Sequence, residues 1–289
     1  MKTTRRNFLL FLFALSCIIL WKFVSPLTPK YQQDFQSYTG LTLIAHAGGG
    51  LETGTYSNSL EALTHSVESG FKLIEIDILP TQNGDLVLMH DWSERHYKYF
   101  SKLPLSRSLS ALVFPRPAKT AKAFKSRVMN YGLTQMDLSD LINWMQKNDD
   151  VYIVTDIKQN NLENLEMLHG LAGPLSKRII PQIYQLSSYK SVREMGYENV
   201  IYTNYKSHIS GDDLISFMTD NPLYALTVPV ETVTDKLIKS AQSLNTPIFV
   251  HRGSDGTPKD LLNTVEGAES VKLQGISGIY TDYLVPSLD

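Results

Sequence analysis

From residue 41 to the C-terminus, short apolar runs alternate with stretches of helical character. The runs cover residues 41–45, 72–79, 151–157, 179–184, 200–203, 223–228, 247–250 and 278–281, with helical patterns such as 59–69, 138–147, 187–195 and 232–243 between them. Continuously apolar strands separated by helices predict a parallel sheet buried on both faces. Eight such units predict closure into a (β/α)8 TIM barrel, an α/β fold. Residues 85–89 follow Gln82-Asn83-Gly84, a turn signal, and read as a hairpin on the second strand rather than as a ninth barrel strand.

The N-terminus breaks this alternation. Lys2, Arg5 and Arg6 precede an apolar run from Phe8 to Val24 that only Ser16 and Lys22 interrupt. At ~1.5 Å per residue, that run reaches about 25 Å, just enough for a hydrocarbon core. The basic flank predicts a cytoplasmic N-terminus with the rest of the chain outside. An uncleaved signal-anchor helix is the first reading. A cleaved signal peptide is the alternative, although no Ala-x-Ala site follows the apolar core. A lipid anchor on Cys17 is weaker, because Ile18-Ile19-Leu20-Trp21 prolongs the apolar run. The stretch from Thr4 to Leu9 has a faint likeness to a twin-arginine export signal. The expected organisation is an anchor or signal over 1–30 and one barrel domain over 38–289.

Composition adds exclusions. The 289 residues carry a formal net charge of −2, which points away from nucleic acid as a partner. A single cysteine leaves no disulfide framework and no cysteine-built zinc site. The segment 95–127 holds Arg95, Lys98, Lys102, Arg107, Arg116, Lys119, Lys122, Lys125 and Arg127 and no acidic residue. It reads either as a basic lid that attracts an anionic substrate or membrane surface, or as a solvated loop.

In such a barrel, chemistry gathers at the C-terminal ends of the strands. Those ends read His46-Ala47-Gly48, Glu75-Ile76-Asp77, His90-Asp91, Asp156-Ile157-Lys158 and Thr281-Asp282. Glu75 and Asp77, two apart, share one face of a strand. Paired buried carboxylates repel unless a cation neutralises them, and Asp156 can supply a third oxygen. An all-carboxylate set suits Mg2+ or Ca2+ better than zinc. An ion pair of Glu75 or Asp77 with Lys158 is the plainer alternative. His46 and His90, expected on opposite sides of the metal, provide imidazoles suited to activating an attacking oxygen and protonating a leaving one. The metal and Lys158 would then neutralise phosphoryl oxygens. His251 and Arg252 follow the seventh strand; they reach the substrate or are ordinary loop residues. Tyr184, Tyr202 and Tyr280 fit either pocket lining or barrel packing. His65, His96, His169 and His208 read as surface or packing residues.

Taken in order, His46-Ala-Gly, Asn58-Ser59-Leu60-Glu61-Ala62, Glu75-Ile-Asp77, Thr81-Gln-Asn-Gly84, His90-Asp91 and Gly278-Ile-Tyr-Thr281-Asp282 resemble the glycerophosphodiester phosphodiesterase family. The resemblance implies a TIM barrel, a divalent metal, His46 and His90 as the catalytic pair, and Glu75 and Asp77 as metal ligands. Two positions depart from the family pattern: Ala47 stands where the family has arginine, and Ser57 where it has a metal-binding glutamate. Asp156-Ile157-Lys158 replaces its Glu-Ile-Lys and is similar to the pattern of sphingomyelinase D-type phospholipases. The resulting expectation is a metal-dependent phosphoric diester hydrolase for a small-molecule or lipid phosphodiester, membrane-tethered through the N-terminal helix. A binding module without turnover on the same scaffold is the alternative.

Overall fold

The computed structural model describes residues 35–92, 117–127, 129–204, 209–251 and 261–287. Eight parallel strands form a closed barrel: β2 (Thr42–Ala45), β3 (Leu73–Pro80), β5 (Tyr152–Asp156), β6 (Ile179–Ile183), β7 (Ile201–Thr203), β8 (Ala225–Pro229), β9 (Ile248–His251) and β10 (Gly278–Thr281). Closure comes from β2, which pairs with β3 on one side and β10 on the other. All eight fall within the apolar runs of the sequence, apart from one-residue extensions on β3, β8 and β9. Continuous burial explains that agreement, since both strand faces are covered. The hairpin expectation also holds: β4 (Leu86–Leu88) runs antiparallel to β3.

Outside the barrel lie α1 (Leu60–Glu68), α2 (Ala121–Lys125), α3 (Leu138–Lys147), α4 (Asn161–Ala172), α5 (Ser188–Glu194), α6 (Gly211–Asp220), α7 (Asp235–Ser243) and α8 (Val265–Leu273). Their starts are chemically marked. Ser59, Thr234 and Thr264 each accept a backbone N–H from the first turn, and Asp137 forms a reciprocal capping box with Asp140. The Thr234 cap explains why α7 begins later than the pattern from residue 232 predicts. A short parallel pair, β1 (Gln36–Tyr38) with β11 (Leu284–Pro286), brings the two ends of the domain together. Sequence pattern gave no sign of this pair, because three-residue runs have no readable period.

Inside the barrel, one layer is apolar: Ile44, Leu73, Val154, Ile180, Ile201, Ala225 and Phe249, joined by the ring of Tyr280. This plug seals the centre. A larger cluster fills the space between strands and helices. The N-terminal anchor segment and Arg252 lie outside the described residues, as does most of the basic run after residue 92. Among the described residues no helix is long and apolar enough to cross a membrane.

Candidate active site

Side chains along a strand alternate faces, so stepping two residues beyond the apolar plug stays on the inner face. From Ile44, Leu73, Val154, Ile180, Ile201, Ala225 and Phe249 the step leads to His46, Glu75, Asp156, Gln182, Thr203, Thr227 and His251. Every one of these is polar. The C-terminal mouth is thus chemically distinct from the plug beneath it.

One arc of the mouth is charged. Asp77 and Asp156 are register partners on β3 and β5. Glu75, Asp77 and Asp156 each offer a carboxylate oxygen within 4.8 Å of the others. Glu75 and Asp77 are only 2% exposed. Burial, reinforced by the charge of Asp77, pushes the Glu75 carboxyl upward, against the pull of His46. Asp77 moves the other way: burial opposes its ionisation, but Lys158, His90 and the Asn58 amide outweigh burial. Lys158 Nζ lies 3.1 Å from Asp77 Oδ1 and 2.7 Å from Asp156 Oδ2. The plainer sequence alternative is therefore realised in part, with Lys158 paired to Asp77 and Asp156. Tyr184 donates its hydroxyl to Asp156 Oδ1, so this tyrosine is part of the site's support. Three buried oxygen ligands, two of them sharing one ammonium, fit a hard divalent cation.

Both catalytic candidates reach this cluster. His90 Nε2 lies 4.0 Å from Asp77 Oδ1, and His90 Nδ1 lies 2.7 Å from Asp91. His46 Nδ1 lies 3.1 Å from Asp282 Oδ1, while the adjacent Ala47 N–H donates to Glu75 Oε2 at 2.7 Å. Each imidazole therefore has Nδ1 against a carboxylate, which orients the ring. Burial opposes protonation of His46, but its electrostatic interactions with Tyr56, Asp282 and Glu75 outweigh burial and hold its pKa well above the usual histidine range.

Several supporting contacts were not legible beforehand. Asn58 grips Asp77 twice, donating to Oδ2 and accepting from the backbone N–H, both at 2.9 Å. The ring of Tyr56 stands between the histidines, its centroid 4.5 Å from that of His46 and 5.2 Å from that of His90. Ala47, Tyr56 and Asn58 all have positive φ, a conformation that non-glycine residues adopt only at a cost. No periodicity signals such turns. Ser57, at a departure from the family pattern, is buried and bonded to Ser59. His251 is the last residue of β9, not a loop residue, and its Nε2 lies 3.3 Å from His46 Nε2. A cavity of about 520 Å³ opens beside the cluster, lined by Lys158, Asn160, Glu163, Tyr184, Gln185 and Ser188. Of the remaining tyrosines, Tyr280 faces the barrel interior and Tyr202 is buried in the surrounding core.

Residues 46–96 match the model of the Glycerophosphoryl diester phosphodiesterase family. That segment begins at His46, ends beyond His90 and encloses Glu75 and Asp77. The resemblance read from the sequence stands. The matched signature is one of phosphoric diester hydrolases. No curated protein matches the chain.

Solved structures extend the likeness over most of the chain. A Galdieria sulphuraria protein, provisionally assigned as a glycerophosphodiester phosphodiesterase, superposes with a TM-score of 0.64 at 13% identity, covering 87% of this chain and 96% of the other. A glycerophosphoryl diester phosphodiesterase from Parabacteroides distasonis gives 0.59 at 16%, covering 87% and 85%. An Oleispira antarctica phosphodiesterase, solved with the product sn-glycerol-3-phosphate, gives 0.57 at 15%, covering 84% and 93%. At these identities the shared property is the barrel itself.

Proposed function

We propose that this chain hydrolyses a phosphodiester of a glycerol- or lipid-derived alcohol, with His46 and His90 as the acid–base pair. Glu75, Asp77 and Asp156 would hold one Mg2+ or Ca2+. The observation that carries the reading is that both histidines and the three carboxylates share one rim of the barrel. The product-bound Oleispira antarctica structure supports a small-molecule phosphodiester as substrate.

Asp282 and Asp91 orient the two imidazoles through Nδ1. One Nε2 takes the proton of the attacking oxygen and the other returns a proton to the leaving oxygen. Lys158, anchored by Asp77 and Asp156, contributes positive charge toward the phosphoryl oxygens. A bound divalent cation would supply Lewis-acid polarisation of those oxygens. The attacking oxygen is water or a neighbouring substrate hydroxyl, and the products distinguish the two. The apolar, basic-flanked N-terminus is read as a tether that keeps the barrel at the outer face of a membrane; that part rests on sequence.

Turnover of bis(p-nitrophenyl) phosphate, with and without excess EDTA, tests the chemistry. Loss of activity in chelator is expected, with recovery on adding Mg2+ or Ca2+. Full activity in EDTA would remove the metal from the reading. ³¹P NMR of products from glycerophosphodiesters, lysophospholipids and glycerol-phosphate polymers then identifies the alcohol and reveals any cyclic phosphate.

A further inference from the structure

The proposed chemistry leaves unused the cavity of about 520 Å³ beside the charged arc. That volume falls within the roughly 300–1,000 Å³ of small-molecule sites. Two residues connect it to the reacting centre. Lys158 lines the cavity and pairs with Asp77 and Asp156, and Tyr184 lines it while donating to Asp156. A phosphoryl group drawn to Lys158 would thus stand at the cavity wall, with one of its two alcohols able to extend inside.

The wall is held in place by the backbone. Asn161 Nδ2 donates to the carbonyls of Ile157 at 3.0 Å and Gln182 at 3.1 Å, which ties the start of α4 to the C-terminal ends of β5 and β6. Asn164 Nδ2 secures the loop between them by donating to the Gln159 carbonyl at 2.8 Å. Asn161 and Asn164 are committed to those carbonyls. The side chains of Asn160, Glu163, Gln185 and Ser188, which also line the cavity, have no hydrogen-bond or ion-pair partner among the described residues.

Their chemistry narrows the ligand. Two carboxamides and a hydroxyl offer both donors and acceptors, and the carboxylate offers acceptors. A long acyl chain would find Leu162 as the one aliphatic side chain among the described lining residues. A quaternary ammonium is held by aromatic faces, and the described wall has Tyr184, only 8% exposed. An anionic alcohol would meet the Glu163 carboxylate, which repels it. A primary ammonium satisfies Glu163 but brings no acceptor for the two amide NH2 groups. Hydroxyl groups both donate and accept. Esterified glycerol has too few of them left to engage four side chains on two loops; a hexitol has enough.

We infer that this cavity is a subsite for one alcohol of the diester, and that it selects a neutral polyol about the size of a hexitol. The subsite rests on the hydrolase reading of the adjacent charged arc and names the substrate class for it. Glu163, Gln185 and Ser188 determine specificity by touching the alcohol, not the phosphorus.

Hydrolysis of the methyl phosphodiesters of sorbitol, ethanolamine, glycerol phosphate and dodecanol by the full-length protein, followed by ³¹P NMR, tests the selection. The sorbitol diester should show the highest kcat/KM, about tenfold above each of the others. Glu163→Ala and Gln185→Ala, both at exposed positions, should each shrink that preference several-fold through KM. Glu163→Gln keeps an acceptor without the charge, so it should retain the preference over dodecanol and relax the exclusion of glycerol phosphate. Equal kcat/KM for all the diesters, a preference for any other alcohol, or a preference unchanged in both alanine variants overturns the subsite and leaves the hydrolase reading standing. Saturation-transfer NMR with sorbitol phosphate reads the cavity without turnover. Binding that weakens in both alanine variants supports the subsite, and binding indifferent to them overturns it. If no diester is hydrolysed, bis(p-nitrophenyl) phosphate included, the hydrolase reading fails and the saturation-transfer result alone decides the polyol site.

Discussion

The two arcs of the barrel mouth are built on opposite plans. From β2 to β5 the rim carries His46, Glu75, Asp77 and Asp156, with Lys158 just beyond, linked one to the next by electrostatic contacts. From β6 to β8 the inner face carries Gln182, Thr203 and Thr227, which with the hydroxyl of Tyr280 satisfy one another. Thr203 donates to Gln182 Oε1 at 2.6 Å, Tyr280 donates to the same oxygen at 3.5 Å, and Thr227 meets the Tyr280 hydroxyl at 3.3 Å. Both arcs are buried and polar. Only the first stores unbalanced charge, and buried like charge persists only where a cation or a function compensates it. The contrast locates the chemistry more sharply than any single residue does.

The largest effect should come from breaking the charged arc at its base. His46→Ala is expected to lower turnover of a generic phosphodiester by roughly 10²–10⁴-fold, the range for removing a general acid or base. Steady-state kinetics on purified variant protein checks this, and near-wild-type turnover would reassign the arc to binding.

Next comes Glu75. Its carboxyl is raised from 4.5 to about 8, first by burial and then by Asp77. Between those values the folded, metal-free protein binds a proton that the unfolded chain does not, so its stability falls as pH rises through that window. Glu75→Gln should flatten the fall, raise the melting temperature in EDTA near pH 8, and abolish stabilisation by Mg2+ or Ca2+. Thermal melts across pH, with and without metal, read all three. If the variant melts lower than wild type in EDTA near pH 8, the stored repulsion is not there.

Smaller effects are expected on the neutral arc. Thr203→Val removes the short donor to Gln182 and should cost about 1–3 kcal/mol of stability, with turnover changed only a few-fold. Denaturant unfolding alongside kinetics separates the two. Tyr280→Phe, which loses the longer contacts of 3.3 and 3.5 Å, should cost less still, on the order of 1 kcal/mol. A loss of turnover as large as in His46→Ala at either position would erase the distinction between the arcs.

The same contrast marks what the sequence could reveal. A carboxylate or histidine at the end of an apolar strand stands out, so His46, Glu75, Asp77, His90 and Asp156 were legible, and the structure brings them together. Threonine and glutamine in a strand do not stand out, so Gln182, Thr203 and Thr227 passed as strand residues. Asp282 was visible within Thr281-Asp282, yet its bond to His46 depends on barrel closure across 236 positions. Tyr56 and Asn58 depend on left-handed turns between β2 and α1, which leave no periodic trace. His251 sits one residue past the apolar run of its strand, and that residue separated an ordinary loop histidine from one paired to His46. The barrel was readable because burial writes itself into every strand; the supporting contacts were not, because each needs two distant segments already in place.

Gly50 lies at the junction of the first and last barrel strands. Its N–H donates to the carbonyl of Asp282 at 3.0 Å, and a Cβ there would come within 2.0 Å of that same oxygen. The carboxylate that steadies His46 is thus delivered by the turn that directly follows the last barrel strand. A barrel whose last strand had not yet docked would carry every acid of the charged arc but a histidine without its anchor, so this rim is completed only when the barrel closes.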